Sequence, residues 1–307
     1  MASSLHGDTI TIYSRSAPAD EIPEYQLCTV YQCNNIIDII SIKKRSRTLS
    51  HYRRVSKSYY CNDETGEVFE YRKQTGRFES LKETFAQLRR LINNNFIGSH
   101  SESMLVLTYA SFMDNPGQLY QDFRRFWLRF KYHYPLTEYI AIVEPQASGS
   151  YHIHALVKTT NGSRLFVPKK QLDKLWTFGG TYISRITDVD NLGAYFCSYF
   201  TNVDYFEGTY LQEKYPSGKL IVKNSRLPLY PQNFKIYRCS KGISRPKPVT
   251  MPFGEIKNIV GNAKPVQMFS KEIISVNDSH EESILNKIEY RQYNLKRIRN
   301  NREEIYL

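Results

Sequence analysis

Two histidines separated by one residue, His152 and His154, are the strongest chemical signal in the sequence. They lie in an apolar run that predicts a β-strand, and because side chains alternate between the two faces of a strand, both imidazoles project from one face. Their Cα atoms would be about 6.6 to 7 Å apart, which lets both rings reach one metal ion. Glu144 ends the preceding predicted strand, so a hairpin would bring its carboxylate beside the pair. This spacing is compatible with a His-His-Glu metal site.

Two tyrosines one helical turn apart, Tyr195 and Tyr199, are the second signal. If residues 191–201 are helical, both hydroxyls can point at a common spot. Tyrosine oxygen is a poor nucleophile at its ordinary pKa of about 10, so it needs a cation that holds the phenolate or polarises the group under attack. Both motifs also have plain structural interpretations, since an H-x-H pair is often incidental and aromatic pairs often pack in cores. Neither motif decides the function alone.

The elements that must position these residues are predicted from the hydrophobic periodicity of the chain. The central part predicts strands over residues 104–109, 139–144, 151–158 and 182–186 and helices over residues 118–132, 168–176 and 191–201. The second and third strands form an antiparallel hairpin across a turn-rich loop. The order predicts an α+β fold with an antiparallel central sheet of split βαβ, ferredoxin-like topology, and with N- and C-terminal extensions.

Three regions are predicted along the chain. Residues 1–99 are a basic N-terminal region of mixed structure, which starts with a loose polar arm of about 30 residues and includes a helical pattern over residues 80–94. Residues 100–250 hold the histidine and tyrosine motifs. Residues 251–307 are a C-terminal extension, in which residues 280–303 have a charged helical pattern.

The charge balance predicts a polyanionic partner. The 307 residues include 42 Lys and Arg against 30 Asp and Glu, a formal charge of +12, and a hydrophobic content of 41% excludes a disordered chain. No secretory signal or long apolar span is visible, so a cytoplasmic protein without a membrane partner is expected. Basic residues near the motifs are candidate contacts to DNA: Lys131, Lys158, Arg164, Lys169 and Lys170.

Four segments, in this order, resemble those of rolling-circle replication initiators, the Rep-type HUH endonucleases of bacterial plasmids, phages and mobile elements. They are residues 105–109, residues 144–149 leading into the histidine pair, Trp176 with Gly179 and Gly180, and residues 193–199. The resemblance covers about residues 100–205 and implies an HUH endonuclease domain. It implies that His152, His154 and Glu144 hold a divalent metal ion. It also implies that Tyr195 attacks the scissile phosphodiester, with Tyr199 as a second nucleophile or a spectator.

The resemblance further implies a reaction, partners and a cofactor. The tyrosine would become joined to a 5′ phosphate on single-stranded or supercoiled origin DNA and leave a free 3′ hydroxyl. The ligand types favour Mg²⁺ or Mn²⁺. The sequence lacks a G-x-x-x-x-G-K-[ST] phosphate loop, so a separate helicase and a separate polymerase are expected. One position departs from the family: Ser198 stands where many relatives have a lysine.

Other functions fit parts of this pattern. A relaxase or a single-strand transposase would use the same chemistry. Relaxases place the tyrosine before the histidines, however, whereas Tyr195 follows His154 by 41 positions, and single-tyrosine transposases are usually much shorter chains. A non-catalytic DNA-binding regulator could keep the fold. A 2-His-1-carboxylate iron oxygenase fits the ligand set but explains neither the charge nor the tyrosines.

Overall fold

A computed structural model of the protein describes most of the chain. The described residues are 11–44, 52–56, 59–62, 66, 68–70, 77–146, 148–186, 190–201, 203–206, 219–222, 229–231, 234–276 and 280–297. The chain divides into two compact units, which we call the flanking unit (Met1–Thr75 and Lys247–Leu307) and the central unit (Gly76–Pro246). No helix in these described ranges is long and apolar enough to cross a lipid bilayer.

The elements follow the chain in three groups. The first group is β1 (Thr11–Ala17), β2 (Leu27–Cys33), β3 (Ile36–Ile42), β4 (Tyr52–Arg54), β5 (Tyr59–Asn62) and β6 (Val68–Glu70). The central unit then has α1 (Arg77–Asn95), β7 (Glu102–Leu107), α2 (Pro116–His133), β8 (Thr137–Pro145), β9 (Tyr151–Thr159), α3 (Lys169–Leu175), β10 (Thr181–Arg185), α4 (Leu192–Thr201), β11 (Val203–Phe206), β12 (Lys219–Val222) and β13 (Tyr237–Cys239). The last group is β14 (Val249–Pro252), α5 (Phe253–Val260), β15 (Gln267–Val276) and β16 (Glu282–Asn294).

The flanking unit is built on a six-stranded antiparallel sheet in the order β1-β15-β16-β3-β2-β14. Helix α5 packs its apolar side chains, Phe253, Ile256 and Val260, into a cluster with Val30 and Ile39 of the sheet. A smaller antiparallel sheet contains β4, β5 and β6. The loose polar arm predicted over residues 1–30 is therefore wrong for β1 and β2, because both are hydrogen-bonded strands of this sheet.

The charged helix predicted within residues 280–303 is also wrong. Residues Glu282–Asn294 form the strand β16, which pairs with β15 on one side and β3 on the other. Charged residues recur there at every second position, which is the strand period. Lys287 bonds Asp20 at 2.8 Å, and Arg291 bonds Glu289 at 3.3 Å. Pairing makes the burial of these charges acceptable, whereas the sequence pattern was interpreted as a solvated helix face.

The central unit confirms the predicted α+β class and its elements. Its main sheet is antiparallel and has the order β10-β7-β9-β8-β13, and β11 and β12 form a separate pair. Each predicted strand and helix between residues 104 and 201 is present, with bounds shifted by a few residues. The predicted hairpin is the pair of β8 and β9.

The two faces of the central sheet carry different helices. Ile140, Ile142 and Leu156 pack with α1 and α4 on one face, which we call the α1/α4 face. Ala141, Val143, Ile153 and other residues of opposite parity pack with α2 and α3 on the other face, the α2/α3 face. A strand buried on both faces carries few polar residues, so the polar side chains that do face the interior stand out as candidates for chemistry.

The segment of Trp176 and Gly179 fixes the end of β7. The indole nitrogen of Trp176 donates to the carbonyl oxygen of Thr108 at 2.7 Å. The backbone at Gly179 approaches the same residue so closely that a Cβ atom there would lie 2.3 Å from the Thr108 oxygen. These residues of the family-like segment therefore have a packing role in this structure.

Substitution of Gly179 by alanine is expected to destabilise the central unit. The added methyl group meets backbone atoms of Thr108 and Ala110, which cannot move without disturbing β7, so we expect a loss of about 2 kcal/mol in the free energy of unfolding. Gly117→Ala is the matched control, because the nearest atom there is a side-chain oxygen at 3.2 Å near the start of α2. Denaturant titration measures both. Equal stability of the two variants would contradict the tight approach.

Candidate active site

The β8–β9 hairpin places the three predicted metal ligands side by side. Glu144 lies opposite His152, and His154 lies opposite Ile142, so all three polar residues share the α1/α4 face. Glu144 and His154 are 6% and 5% exposed, whereas His152 is partly buried. The hairpin has this form because residues on both strands alternate in register, and Gly149 supplies the positive φ that the turn requires.

The contacts within this group are specific. Nε2 of His154 lies 2.6 Å from a carboxylate oxygen of Glu144, and Nδ1 of His152 lies 3.0 Å from the side-chain nitrogen of Gln146. Across the described residues, no three His, Cys, Asp or Glu side chains converge closely enough to hold a metal ion. The carboxylate is thus bonded to one imidazole, and the second imidazole is turned toward the amide.

The protonation of the two imidazoles suits metal binding. Burial lowers the pKa of His154 to about 4, and burial together with the neighbouring His154 lowers the pKa of His152. Both rings are therefore neutral at pH 7, and a neutral imidazole is the form that ligates a metal ion. Two neutral imidazoles beside one carboxylate are a donor set that fits a divalent ion.

Helix α4 carries the tyrosine motif, and two asparagines fix its first turn. The side-chain oxygen of Asn191 accepts from the backbone NH of Ala194 at 2.9 Å, and the side-chain oxygen of Asn93 accepts from the NH of Gly193 at 2.7 Å. The Asn93 amide also donates to Asn191 at 2.9 Å. Because Asn93 belongs to α1, this network ties the start of the tyrosine helix to a neighbouring helix.

Tight packing against α1 sets which side of α4 is buried. A Cβ atom at Gly193 would lie 2.3 Å from the backbone oxygen of Arg89, so glycine is required for this approach. Phe196 and Cys197 are buried in the cluster with α1, and burial raises the pKa of the Cys197 thiol to about 12. Tyr195 lies outside this cluster, with 51% of its surface exposed.

The tyrosine helix and the histidine hairpin meet at the same face of the sheet. Leu192 and Phe196 of α4 belong to the cluster that contains Ile142, the cross-strand partner of His154. The structure thus brings the helix of Tyr195 to the face on which Glu144, His152 and His154 lie. Tyr199 is on the same helix, and its side chain lies outside the described residues.

Replacing Asn93 by alanine is expected to loosen the start of α4. The change removes the acceptor of a buried backbone NH and the donor to Asn191, so the free energy of unfolding should fall by about 1–3 kcal/mol. Amide hydrogen exchange at Gly193 and Ala194 should accelerate. Asn94→Ala is the matched control, because Asn94 is the next residue on α1 and donates to Ser244 in an exposed position. If both variants exchange as slowly as the wild type, the two-asparagine network does not hold the helix.

Three of the five predicted DNA contacts are engaged with protein groups. Lys131 pairs with Glu138 at 3.4 Å, and Lys169 pairs with Asp173. Lys158 is half-buried and donates to the backbone oxygen of a residue of α1 at 3.1 Å, and burial lowers its pKa. These contacts give each side chain a structural role beside any role in binding.

The other two, Arg164 and Lys170, are exposed. Lys169 and Lys170 belong to α3, which packs on the α2/α3 face, whereas Lys158 shares the parity of Leu156 on the α1/α4 face. The structure therefore does not gather the five basic residues into one group beside the histidines. Their role in binding DNA stays a prediction.

Comparison with known proteins gives one family. Residues 102–204 match the family described as Replication-associated protein ORF2. The match confirms the resemblance to rolling-circle replication initiators. It covers the chain from the first residue of β7 into β11, and so includes the histidine hairpin and Tyr195. Searches of curated proteins and of solved structures give no significant match.

Sequence reasoning missed several residues that shape this site. An asparagine immediately before a helical pattern is a capping signal, so Asn191 could have been recognised from the sequence. Asn93 had no such signal, because its partner is about a hundred residues away and lies on another helix. Gln146 gave no signal either, since its contact with His152 depends on how the hairpin turn folds.

Proposed function

We propose that the central unit nicks and rejoins single-stranded DNA at a replication origin, with Tyr195 as the nucleophile. One observation carries this proposal. The exposed tyrosine on α4 and the histidine hairpin lie at the same face of the sheet, within the segment that matches a family of replication-associated proteins. The alternative arrangement, with Tyr195 buried in the core, is not what the structure contains.

The strand order supports an HUH-type domain. Strands β7, β8, β9 and β10 occur in the spatial order β10-β7-β9-β8, with α2 connecting the first pair and α3 the second, and both helices pack on the α2/α3 face. We infer from this order the split βαβ, ferredoxin-like topology. The two central strands, β7 and β9, then form a rigid base, and β9 bears both histidines.

The proposed reaction transfers one phosphodiester bond. The Tyr195 oxygen attacks the scissile phosphorus and loses its proton as the new P–O bond forms. The bond from phosphorus to the 3′ oxygen breaks, and the 3′ oxygen takes up a proton as it departs. The products are a 5′-phosphotyrosine and a free 3′ hydroxyl. Because a phosphodiester is exchanged for a phosphodiester, attack by a 3′ hydroxyl in the reverse direction rejoins the strand.

His152 and His154, with Glu144, would hold a divalent ion, Mg²⁺ or Mn²⁺. When bound, such an ion supplies positive charge to a non-bridging phosphate oxygen. The protein contributes two neutral imidazoles whose spacing is fixed by β9 and a carboxylate fixed by β8. It also excludes water from His154 and Glu144, since both are nearly buried, and this strengthens any charge interaction there.

The partners follow from this chemistry. A charge of +12 favours binding to the DNA backbone, and attack on one strand requires that strand to be unpaired, as in single-stranded or supercoiled origin DNA. Strand separation and synthesis would need a separate helicase and a separate polymerase. We propose action in the cytoplasm, where bacterial DNA is replicated.

Metal removal tests the proposal against a non-catalytic regulator. In the presence of Mn²⁺, the full chain should cleave members of a labelled single-stranded oligonucleotide library with a randomised centre, and EDTA should reduce cleavage at least about 10²-fold. Restoring Mn²⁺ should restore the rate. Binding in EDTA should persist, because phosphate contacts from lysine and arginine do not need the ion. Stable binding without cleavage under every ion tested would support the regulator.

A further inference from the structure

The proposed site is open toward one edge of the central sheet. His154 is 5% exposed, His152 is partly buried, and Tyr182 on the edge strand β10 is 59% exposed. Helices α1 and α4 cover the α1/α4 face nearer its centre, through contacts with Ile140 and Ile142. A DNA strand that reaches the histidines over this face therefore passes the β10 edge.

Tyr182 stands in the same cross-strand row as His154. In the register of the sheet, Tyr182 pairs with Val106, and Val106 pairs with His154. Residues directly opposite in an antiparallel pair project from the same face, so all three lie on the α1/α4 face. Two interstrand steps of about 4.8 Å put Tyr182 about 10 Å from the His154 strand position. This is on the scale of one to two nucleotides.

The surface beside Tyr182 is flat and has no side chain at one key position. Gly180 precedes Tyr182 by two residues, so its missing side chain would lie on the same face. Gly180 is exposed, and its backbone oxygen accepts from both the NH and the hydroxyl of Thr108 at 2.9 and 3.1 Å. A bare, rigid backbone next to an exposed aromatic ring is the geometry of a base-stacking platform.

We propose that Tyr182 stacks on a base of the single-stranded DNA one or two nucleotides from the scissile phosphate, and that Gly180 keeps the adjoining surface open for it. This inference rests on the proposed function. Stacking is sequence-tolerant because every base has a π-face, so Tyr182 would hold the strand in place and leave sequence choice to other residues. The aromatic ring is the active group in this account, and the hydroxyl has no role.

Binding measurements with three Tyr182 variants test the proposal. They are made in the Tyr195→Phe background, in which no strand is cut. Tyr182→Ala should weaken binding of a cleavable oligonucleotide about tenfold, whereas Tyr182→Phe should bind within about twofold of the parent. Tyr182→Leu keeps an apolar side chain of similar size and should still bind about five- to tenfold more weakly. Tyr132→Ala is the matched control, since Tyr132 is 83% exposed on α2.

A fluorescent base identifies the stacked nucleotide. With 2-aminopurine placed at each oligonucleotide position in turn, one position beside the cleavage point should be quenched by the parent and by Tyr182→Phe, and not by Tyr182→Leu. If Tyr182→Ala fails to fold, the Phe and Leu variants still decide. Equal affinity and equal quenching for Phe and Leu would overturn the stacking proposal. Adduct formation by the otherwise wild-type chain is measured in parallel, so a failure of stacking and a failure of nicking are seen separately.

Discussion

Tyr195→Phe is expected to eliminate the covalent protein–DNA adduct and to lower nicking of single-stranded DNA by at least about 10³-fold. Phenylalanine keeps the ring and its contact with Phe196 but lacks the oxygen that forms the bond to phosphorus. Because Tyr195 is half exposed and lies outside the core cluster of α4, the variant should fold with unchanged stability. Nicking is measured with end-labelled oligonucleotides, and the adduct as a band of reduced mobility in denaturing gels.

Two further tyrosine variants complete this test. Tyr132→Phe removes a hydroxyl from an exposed tyrosine on α2, which packs on the other face of the sheet, and should nick like the wild type. Tyr199→Phe shows whether the second tyrosine of α4 takes part. A full yield of adduct from Tyr195→Phe would assign the attack to another residue and would contradict the proposed role of Tyr195.

His154→Ala is expected to abolish metal-dependent cleavage while DNA binding stays within about threefold of wild type. The substitution removes one of two neutral imidazoles and leaves the Glu144 carboxylate without the partner that lies 2.6 Å away. We therefore expect a loss of at least about 10²-fold in nicking rate and in Mn²⁺ affinity. Glu144→Gln tests the same group without creating a cavity, since glutamine keeps the shape and removes the charge.

His133→Ala is the matched histidine control. His133 lies in the last turn of α2, is exposed, and contacts Tyr132. It should bind Mn²⁺ and cleave DNA like the wild type. Mn²⁺ binding is followed by titration calorimetry, and a denaturation curve for each variant separates lost chemistry from lost folding. Unchanged cleavage by both His154→Ala and Glu144→Gln would show that the hairpin group has no part in the reaction.

The regular elements of the central unit could be predicted from sequence because each follows one clear period. Helix α2 has apolar residues at helical spacing, and the β8–β9 hairpin combines two apolar runs with a turn that contains Gly149. The strand period also placed His152 and His154 on one face without any knowledge of the fold. These are local properties, so a single sequence contains them.

What could not be predicted depends on contacts between distant parts of the chain. The charged strand β16 was interpreted as a helix, because the ion pair of Lys287 with Asp20 that neutralises its buried charge joins residues at opposite ends of the sequence. The Asn93–Asn191 network has the same character. Tyr182 drew no attention as a single exposed tyrosine, and only the register across β7 relates it to His154.

The attachment site of the DNA tests the central claim most directly. The wild-type chain is incubated with Mn²⁺ and the single-stranded oligonucleotide library, digested with protease and nuclease, and analysed by mass spectrometry for peptides that carry a nucleotide. We predict a phosphodiester linkage to the oxygen of Tyr195, formed with Mn²⁺ and lost in EDTA. A linkage to a residue outside α4, or an adduct that forms equally well in EDTA, would contradict the account.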